Sequence, residues 1–472
     1  FFEYGTLTAL WLFDEAAVDY AVLEVGLGGR LDAVNIVDGD IALITNIGLD
    51  HVDCLGDDRE SIGYEKAGVM RARRPVICCD RHPPASLSQH AARVGAALEC
   101  IGHEFDIQAD SQGWVFSRGA HTRRLAGMAG ETALYVSNGH GVWEAALSNL
   151  FGPGDAILAL ASGTFGHGWA DVGRVMGLDV EVLEFGRHAP VDPTALGERL
   201  KEDTAHHIKG ILVVHADTSS SVRNDVSRLR QAIDDVGHPA LLLVDCIASF
   251  CCDVYEMDDW GVDVTVTACQ KGLMTPPGLA YVIFNGKAAA IARANPVRSP
   301  YWNWSPRTQP ERFYERFCGT APTHLLYAQR EALDMIAEEG RAAIFKRHAL
   351  LARAVWAAVV AWSSDGPLRC NIVDPEFRSH AVTTILADAH DMLQLRRWCE
   401  DEAGLILGLG LGFLVPEFME GKSVFRIGHM GHLNPPMLLG ALATIDSGLK
   451  ALDVPHGPGA VEAAAMVTAT IS

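Results

Sequence analysis

The sequence predicts an α/β protein with mostly parallel sheets and a smaller α+β region at its carboxyl end. Apolar runs of strand length alternate with helix-length segments along the chain. The clearest runs are residues 156–160, 210–215, 240–250 and 263–268. Strands that alternate with helices form parallel sheets, and binding sites lie beyond the carboxyl ends of such strands. The residues that follow these runs are therefore candidates for functional side chains.

The composition is that of a large, acidic protein. A length of 472 residues predicts about two to four domains, and 49% hydrophobic residues are enough for large cores. The net charge of -21 disfavours a nucleic-acid partner. No apolar run approaches the ~20 residues of a membrane span, and no signal peptide is evident. The 11 cysteines include no Cys-x-x-Cys, so we expect reduced thiols and a cytoplasmic protein.

The first 126 residues have a strand–helix alternation of their own. The pattern predicts a helix over residues 4–13, strands over 19–26, 40–48 and 75–79, and a helix around 57–71. After Ile101 it changes to short polar strands with glycine turns, which end in the basic stretch 118–124. We therefore expect a small parallel sheet followed by a separate group of short strands.

Three segments of this part are similar to folylpolyglutamate/dihydrofolate synthases, which are ATP-dependent Mur-type ligases. They are residues 22–32 (VLEVGLGGRLD), 45–51 (TNIGLDH) and 65–68 (EKAG). The resemblance implies that residues 1–126 form a partial Mur-ligase-like α/β domain. Glu24 and His51 would then bind Mg²⁺ and Lys66 would carry a carbamate, whereas the alternative is that Glu24 and His51 only cap strand ends. No P-loop of the form Gly-x4-Gly-Lys-Ser/Thr occurs in the 472 residues, so we expect no ligase activity.

A lysine, Lys271, lies at the end of the apolar run 263–268. Burying an ammonium group costs several kcal/mol unless the group is paired or used. Burial also lowers the pKa of a lysine, and its neutral amine can react with an aldehyde such as pyridoxal phosphate (PLP). The alternative is a lysine that reaches solvent at the strand end.

An acidic residue, Asp245, lies within the apolar run 240–250. A buried carboxylate needs a cationic partner. In PLP enzymes an aspartate at such a strand end pairs with the protonated pyridine nitrogen, which keeps the ring an electron sink. Asp245 and Lys271 therefore predict two parts of one site.

Four motifs resemble class V aminotransferases, and within them the serine/alanine–glyoxylate group. They are residues 215–220 (HADTSS), 244–249 (VDCIAS), 270–278 (QKGLMTPPG) and 425–428 (FRIG). The resemblance extends from about residue 130 to residue 472, and it implies the PLP-dependent transferase fold type I. Residues 127–320 would form the large PLP-binding domain with a mixed, mostly parallel sheet. Residues 321–472 would form a linking helix and a small α+β domain.

The resemblance also implies which residues form the site. Lys271 would bind PLP covalently and move a proton, Asp245 would pair with the pyridine nitrogen, and Arg426 would grip the substrate carboxylate with its planar fork. The other cofactor-binding candidates are Gly139, His140, Phe165, Thr218, Ser219, Ile247, Gln270 and, across a homodimer interface, Thr320.

Structural alternatives remain for three of these candidates. Gly139 and His140 begin a predicted helix, whose amino terminus suits a phosphate, but His140 would also serve as a simple cap. Phe165 would stack on the PLP ring or belong to the core. Arg426 would otherwise form a structural ion pair. Ser221 and Phe317 depart from the family, in which glycine and tyrosine are usual, and a serine there would tighten the turn.

The sequence thus predicts an aminotransferase that moves the amino group of serine or alanine to glyoxylate or pyruvate. A relative acting on pyridoxamine and pyruvate is a rival within the class. A folate–glutamate ligase and an inactive chimera are alternatives outside it. Ligase-like sequence stands where relatives have residues that precede the site, and both a natural fusion and a misjoined sequence stay open.

Overall fold

The computed structural model describes residues 2–49, 51–110, 113–119, 121–124, 130–388, 390–413 and 422–470. The chain divides into two units, Phe1–Gly127 and Met128–Ser472, and each is described here by itself. The domain boundaries that the sequence suggests at residues 126 and 320 stay predictions, because a division into units does not show which segments fold independently.

The first unit contains a parallel and an antiparallel sheet of three strands each. Its elements are α1 (Phe2–Glu15), β1 (Ala42–Ile44), α2 (Val52–Leu55), α3 (Arg59–Ala67), β2 (Pro75–Cys78), α4 (Ala85–Val94), β3 (Ala97–Cys100), β4 (Phe105–Asp110), β5 (Gly113–Arg118) and β6 (His121–Arg124). The order β1-β2-β3 is parallel, and the order β4-β5-β6 is antiparallel. The helices predicted over 4–13 and around 57–71, the strand at 75–79 and the short strands after Ile101 are confirmed.

The strand predicted over residues 19–26 is wrong. These residues have neither helix nor strand structure, and the side chains of Tyr20 and Val22 are 91% and 67% exposed. Among the described residues, β1 pairs only with β2, so residues 19–26 have no strand beside them to hydrogen-bond. An apolar run needs such a neighbour to become a strand. Of the strand predicted over residues 40–48, only Ala42–Ile44 form a strand, β1.

The second unit begins with alternating strands and helices. These are β7 (Glu131–Ser137), α5 (Gly139–Leu150), β8 (Ala156–Ala161), α6 (Thr164–Val175), β9 (Asp179–Glu184), α7 (Pro193–Glu202), β10 (Ile208–Val214), β11 (Ala216–Asp217), β12 (Val222–Arg223), α8 (Val226–Asp235), β13 (Leu241–Asp245), β14 (Val264–Ala268) and β15 (Gly278–Phe284). The remaining elements are α9 (Gly286–Ala294), α10 (Ser305–Thr308), α11 (Thr323–Glu339), α12 (Arg341–Ser363), β16 (Arg369–Cys370), β17 (Val382–Leu386), α13 (Met392–Ala403), β18 (Gly408–Leu409), β19 (Val424–Gly428), α14 (Pro435–Ala451) and α15 (Ala460–Thr468).

A seven-stranded sheet in the order β7-β15-β14-β13-β10-β8-β9 organises this unit. Only β15 runs against the other six strands, so the predicted mixed, mostly parallel sheet is confirmed. Alternate residues of each strand point to opposite faces. Leu241 and Leu243 of β13 pack with α5, α6 and α9, whereas Leu242 and Val244 pack with α7 and α8. Both faces are covered, which explains the continuous apolar runs.

An antiparallel sheet in the order β16-β17-β19-β18, hereafter the C-terminal sheet, packs against α12, α13, α14 and α15. Apolar side chains of α12 such as Leu351, Val355 and Val359 form its core with Ile385 and Phe425 of the sheet. This arrangement agrees with the expected α+β region. Within the described ranges, every helix is too short or too polar to span a membrane.

Candidate active site

Five parallel strands end at the same edge of the large sheet. Each is followed by, or ends in, residues that the sequence predicts for the site: Gly139 and His140 after β7, Phe165 after β8, Thr218 and Ser219 after β10, Asp245 and Ile247 at β13, and Gln270 and Lys271 after β14. Because β7, β8, β10, β13 and β14 run in one direction, these residues lie at one edge of the sheet.

Asp245 is the last residue of β13 and only 3% exposed. Its Oδ2 accepts a hydrogen bond from the indole Nε1 of Trp143 at 2.8 Å, and its Oδ1 accepts one from the backbone N–H of Ile247 at 2.7 Å. Burial raises the pKa of Asp245 to about 7, although these hydrogen bonds oppose the rise. A cation beside it would restore the ionised carboxylate.

Lys271 is half-buried and lies three residues beyond β14. Burial lowers its pKa, and the positive charge of Arg426 lowers it further, while the charge of Asp245 acts in the opposite direction. A lowered pKa increases the fraction of neutral amine, which is the nucleophilic form. The structure therefore brings Lys271, Asp245 and Arg426 into one electrostatic environment.

Arg426 lies on β19 and is fixed by two backbone carbonyls. Its Nε donates to the oxygen of Leu409 at 2.6 Å, and its Nη1 donates to the oxygen of Thr218 at 2.7 Å. Burial lowers the pKa of Arg426, and the charge of Asp217 opposes this. Among the described residues, its other N–H groups have no protein acceptor, so both terminal nitrogens keep donors for a carboxylate. The expected alternative, a structural ion pair, is not what these contacts show.

Helix α5 begins at Gly139 directly beside β13. Asn138 caps it, because its Oδ1 accepts from the N–H of Gly141 at 3.4 Å. A Cβ on Gly139 would lie 2.4 Å from Cδ1 of Ile247, so a larger residue here would have to displace the Ile247 side chain. His140 is exposed, with its ring centroid 4.7 Å from that of Trp143. The first N–H groups of such a helix form an anion site.

The remaining candidates differ in environment. Phe165 is half-buried, with its ring 6.3 Å from the ring of Trp143 in an edge-on arrangement. Oε1 of Gln270 is buried and has no hydrogen-bond partner among the described residues. Thr320 is exposed, whereas Phe317 is buried and contacts Phe313.

Sequence reasoning missed Asp217 and Trp143. Asp217 is fully buried, and its Oδ1 accepts from the N–H of Ser219 at 2.9 Å. An aspartate two residues before a serine is a signal for such a turn. The role of Trp143 in binding Asp245 depends on a contact over 102 residues and has no local signal.

The turn 218–221 is bound by the C-terminal sheet and its flanking residues. Each of its four carbonyl oxygens accepts one hydrogen bond from that side. The donors to residues 218, 219, 220 and 221 are, in order, Arg426 Nη1 at 2.7 Å, Thr384 Oγ1 at 3.0 Å, Asn371 Nδ2 at 2.7 Å and the N–H of Ser379 at 3.0 Å. Ser221 has φ +62°, a conformation that favours glycine, but its hydroxyl accepts from the N–H of Thr384.

The structure does not support a magnesium site at the predicted residues Glu24, His51 and Lys66. In the described part of the chain, no three His, Cys, Asp or Glu side chains lie together as metal ligands do. Glu24 is exposed in an irregular segment, His51 precedes α2 with φ +49°, and Lys66 is half-buried in α3. These residues do not fit the Mg²⁺ that the ligase resemblance implies, and no chemical step is assigned to it.

Comparison with known proteins separates the two units. A family model described as aminotransferase class-V matches residues 120–410. A serine–glyoxylate aminotransferase of Methylorubrum extorquens is 37% identical over 353 residues, which are 73% of this chain and 85% of that protein. A dihydrofolate synthase/folylpolyglutamate synthase of Escherichia coli is 52% identical over 117 residues, which are 25% of this chain and 28% of that protein.

Solved structures agree with the fold of the second unit. Pyridoxamine–pyruvate aminotransferase of Mesorhizobium loti has a TM-score of 0.65 and 25% identity, covering 73% of this chain and 86% of its own. Alanine–glyoxylate aminotransferase of Nostoc sp. has a TM-score of 0.61 and 27% identity, covering 67% and 81%. The predicted fold type I is thereby confirmed, as is the resemblance of the chain to two unrelated families.

Proposed function

Because the chain belongs to the class V aminotransferase family, we propose that it transfers the amino group of serine or alanine to glyoxylate or pyruvate with PLP as cofactor. The observation that carries this proposal is the grouping of Lys271, Asp245 and Arg426 around one sheet edge. Serine and alanine are the donors in the names of the Methylorubrum and Nostoc relatives.

The residues present fit PLP by their chemistry. Lys271 offers an amine to the aldehyde, and Asp245 offers a buried carboxylate to the pyridine nitrogen. The start of α5 at Gly139 and His140, with the hydroxyl of Thr218 and the side-chain amide of Gln270, would supply donors for the phosphate and the phenolic oxygen. Ser219, also a predicted candidate, already donates its N–H and its hydroxyl to Asp217. Phe165 and Ile247 would cover the two faces of the ring.

The mechanism assigns a separate task to each charged residue. When bound, PLP supplies the electron sink for the negative charge that develops at the α-carbon of the donor. Nζ of Lys271, whose lowered pKa favours the neutral amine, takes the proton from that carbon. Asp245 holds the proton on the pyridine nitrogen. Arg426 fixes the donor carboxylate with its terminal nitrogens, which orients the carbon–hydrogen bond toward Lys271.

Covalent trapping and substrate profiling test the proposal together. The purified protein is incubated with PLP, reduced with borohydride and digested, and we expect the label on Lys271. Serine, alanine and pyridoxamine are then compared as donors with glyoxylate and pyruvate as acceptors. A preference for pyridoxamine would favour the rival within the class, because pyridoxamine has no carboxylate for Arg426. A label elsewhere, or no transfer with any pair, would contradict the proposal.

We further propose a homodimer located in the cytoplasm. Thr320 lies in the second unit, which carries the site, and it is exposed, as a residue that reaches a neighbouring subunit must be. All 11 cysteines are free thiols, which suits a reducing compartment. Sedimentation at micromolar concentration should give a dimer, and Thr320→Ala should weaken PLP binding. A monomer with full activity would exclude the shared site.

Ligase chemistry is the second candidate because of the 52% identity of the first unit to the synthase. We infer that this chain does not perform it, since its sequence contains no P-loop motif of the form Gly-x4-Gly-Lys-Ser/Thr. ATP turnover that rises with dihydropteroate and disappears in Lys66→Ala would overturn this inference.

A further inference from the structure

Helix α6, which carries Phe165, begins without a side-chain cap of its own. Its N-cap residue is Gly163, yet the first three N–H groups of the helix all have acceptors. Thr164 donates to Oγ of Ser219 at 2.9 Å, and Phe165 and Gly166 donate to Oδ2 of Asp217 at 2.9 Å and 3.4 Å. The cap is therefore supplied by a turn 52 residues further along the chain.

The contact between Asp217 and the start of α6 is close. A Cβ on Gly163 would lie 2.4 Å from Cγ of Asp217. Oδ1 of Asp217 accepts from both the N–H of Ser219 at 2.9 Å and its hydroxyl at 2.5 Å, so both carboxylate oxygens are occupied. The negative charge also suits the positive end of the helix dipole.

The same residue adjoins the group that would hold the donor carboxylate. Thr218, the next residue, accepts through its backbone oxygen from Nη1 of Arg426 at 2.7 Å. The charge of Asp217 also acts directly on the guanidinium of Arg426. The buried carboxylate of Asp217 thus binds the first turn of α6, which carries Phe165. It also orders the turn 218–221, whose Thr218 carbonyl accepts from Arg426.

We propose that Asp217 is a positioning residue for amino-group transfer, which aligns Phe165 with the cofactor ring and Arg426 with the donor carboxylate at the same time. The inference rests on the proposed function and deepens it. Asp217 itself touches neither substrate nor cofactor in this assignment, because its oxygens are used by the N–H groups of α6 and by Ser219.

The test compares Asp217→Asn with Asp171→Asn. The amide in the first variant keeps the size of the side chain, but it loses the charge and places an N–H against another N–H. Asp171 lies on the exposed side of the same helix, where it pairs with Arg174, so its variant is a matched control. Hydrogen exchange of the peptide 163–169 without PLP, visible circular dichroism with PLP, and KM and kcat for the donor are measured.

In Asp217→Asn we expect about tenfold faster exchange of the amides of residues 164–166, the size of a lost cap. We also expect a weaker visible dichroism signal and a donor KM raised about tenfold, with a smaller change in kcat. Asp171→Asn should resemble the parent protein. Exchange, dichroism and KM that all match those of Asp171→Asn would overturn the proposal.

A second variant serves if Asp217→Asn does not fold. Ser219→Ala keeps the Asp217 carboxylate but removes the Ser219 hydroxyl, which accepts from the N–H of Thr164 and donates to Oδ1 of Asp217. It should show smaller increases in amide exchange and in donor KM than Asp217→Asn. No change in its exchange or donor KM would also overturn the proposal. Absence of PLP-dependent transfer in the parent protein would instead contradict the proposed function, and with it this inference.

Discussion

Two apolar segments of the molecule, residues 19–26 and strand β13, each contain an acid, but they have opposite environments. β13 lies between β10 and β14, and all five of its residues are buried. Residues 19–26 have no strand beside them in the described part of the chain. Glu24 is consequently exposed, while Asp245 is buried with a raised pKa. The environment of each carboxylate therefore depends on the strands that pack around it and not on its own apolar run.

The largest effect is expected at the strand next to β13. Lys271→Ala removes the amine that β14 delivers to the site, so PLP should no longer be attached covalently. Transfer between donor and acceptor should fall by at least about 10³-fold, because both attachment and proton movement depend on this group. Borohydride trapping and steady-state rates measure the two effects. Retention of most of the activity would remove Lys271 from the reaction.

The buried carboxylate should make the stability of the PLP-free protein depend on pH. The folded protein keeps the proton of Asp245 up to about pH 7, whereas the unfolded chain releases it near the ordinary pKa. This stabilising contribution is complete below the ordinary pKa and is lost as pH rises through 7. Relative to Asp245→Asn, the parent should lose on the order of 2 kcal/mol between pH 5 and pH 8.

Urea unfolding at the two pH values measures this loss. Glu24→Gln makes the same chemical change in residues 19–26, where the side chain is exposed. The difference in the free energy of unfolding between Glu24→Gln and the parent protein should be the same at both pH values. A pH-independent difference for Asp245→Asn as well would mean that the environments of the two acids do not matter.

A moderate effect is expected at Arg426. Arg426→Lys keeps a positive charge but cannot reproduce two parallel hydrogen bonds to a carboxylate. The donor KM should rise about tenfold, which is a loss of about 1.4 kcal/mol, while the absorbance of bound PLP stays the same. Titration of that absorbance with serine gives the affinity. An unchanged affinity would place the donor carboxylate elsewhere.

The smallest effect is expected when the first unit is removed. A chain that begins at residue 127 should have a PLP affinity and a transfer rate within about twofold of those of the full chain. The residues proposed to bind PLP and the amino donor all lie in the second unit. Fluorescence titration with PLP and transfer rates measure this. A loss of affinity larger than tenfold would show that the first unit supports the site.

The predictable part of the site consists of residues whose chemistry conflicts with their place in the chain. Lys271 and Asp245 stand out because a buried strand rarely ends in a charge, and Arg426 stands out because a charge in the middle of a strand is also rare. Asp217 and Trp143 could not be found in this way, since their importance comes from contacts made across the fold. The wrong strand at 19–26 has the same cause, because pairing partners are not encoded in the run itself.

The four hydrogen bonds accepted by the carbonyl oxygens of the turn 218–221 limit how the C-terminal sheet can move. Because the bonds lie along one turn, the C-terminal sheet cannot swing away from the turn without breaking them together. In many enzymes that close by such a swing, the slow opening or closing motion limits turnover. Here the catalytic cleft would be assembled before the donor arrives. Turnover should therefore not change when sucrose or glycerol raises the viscosity of the solution.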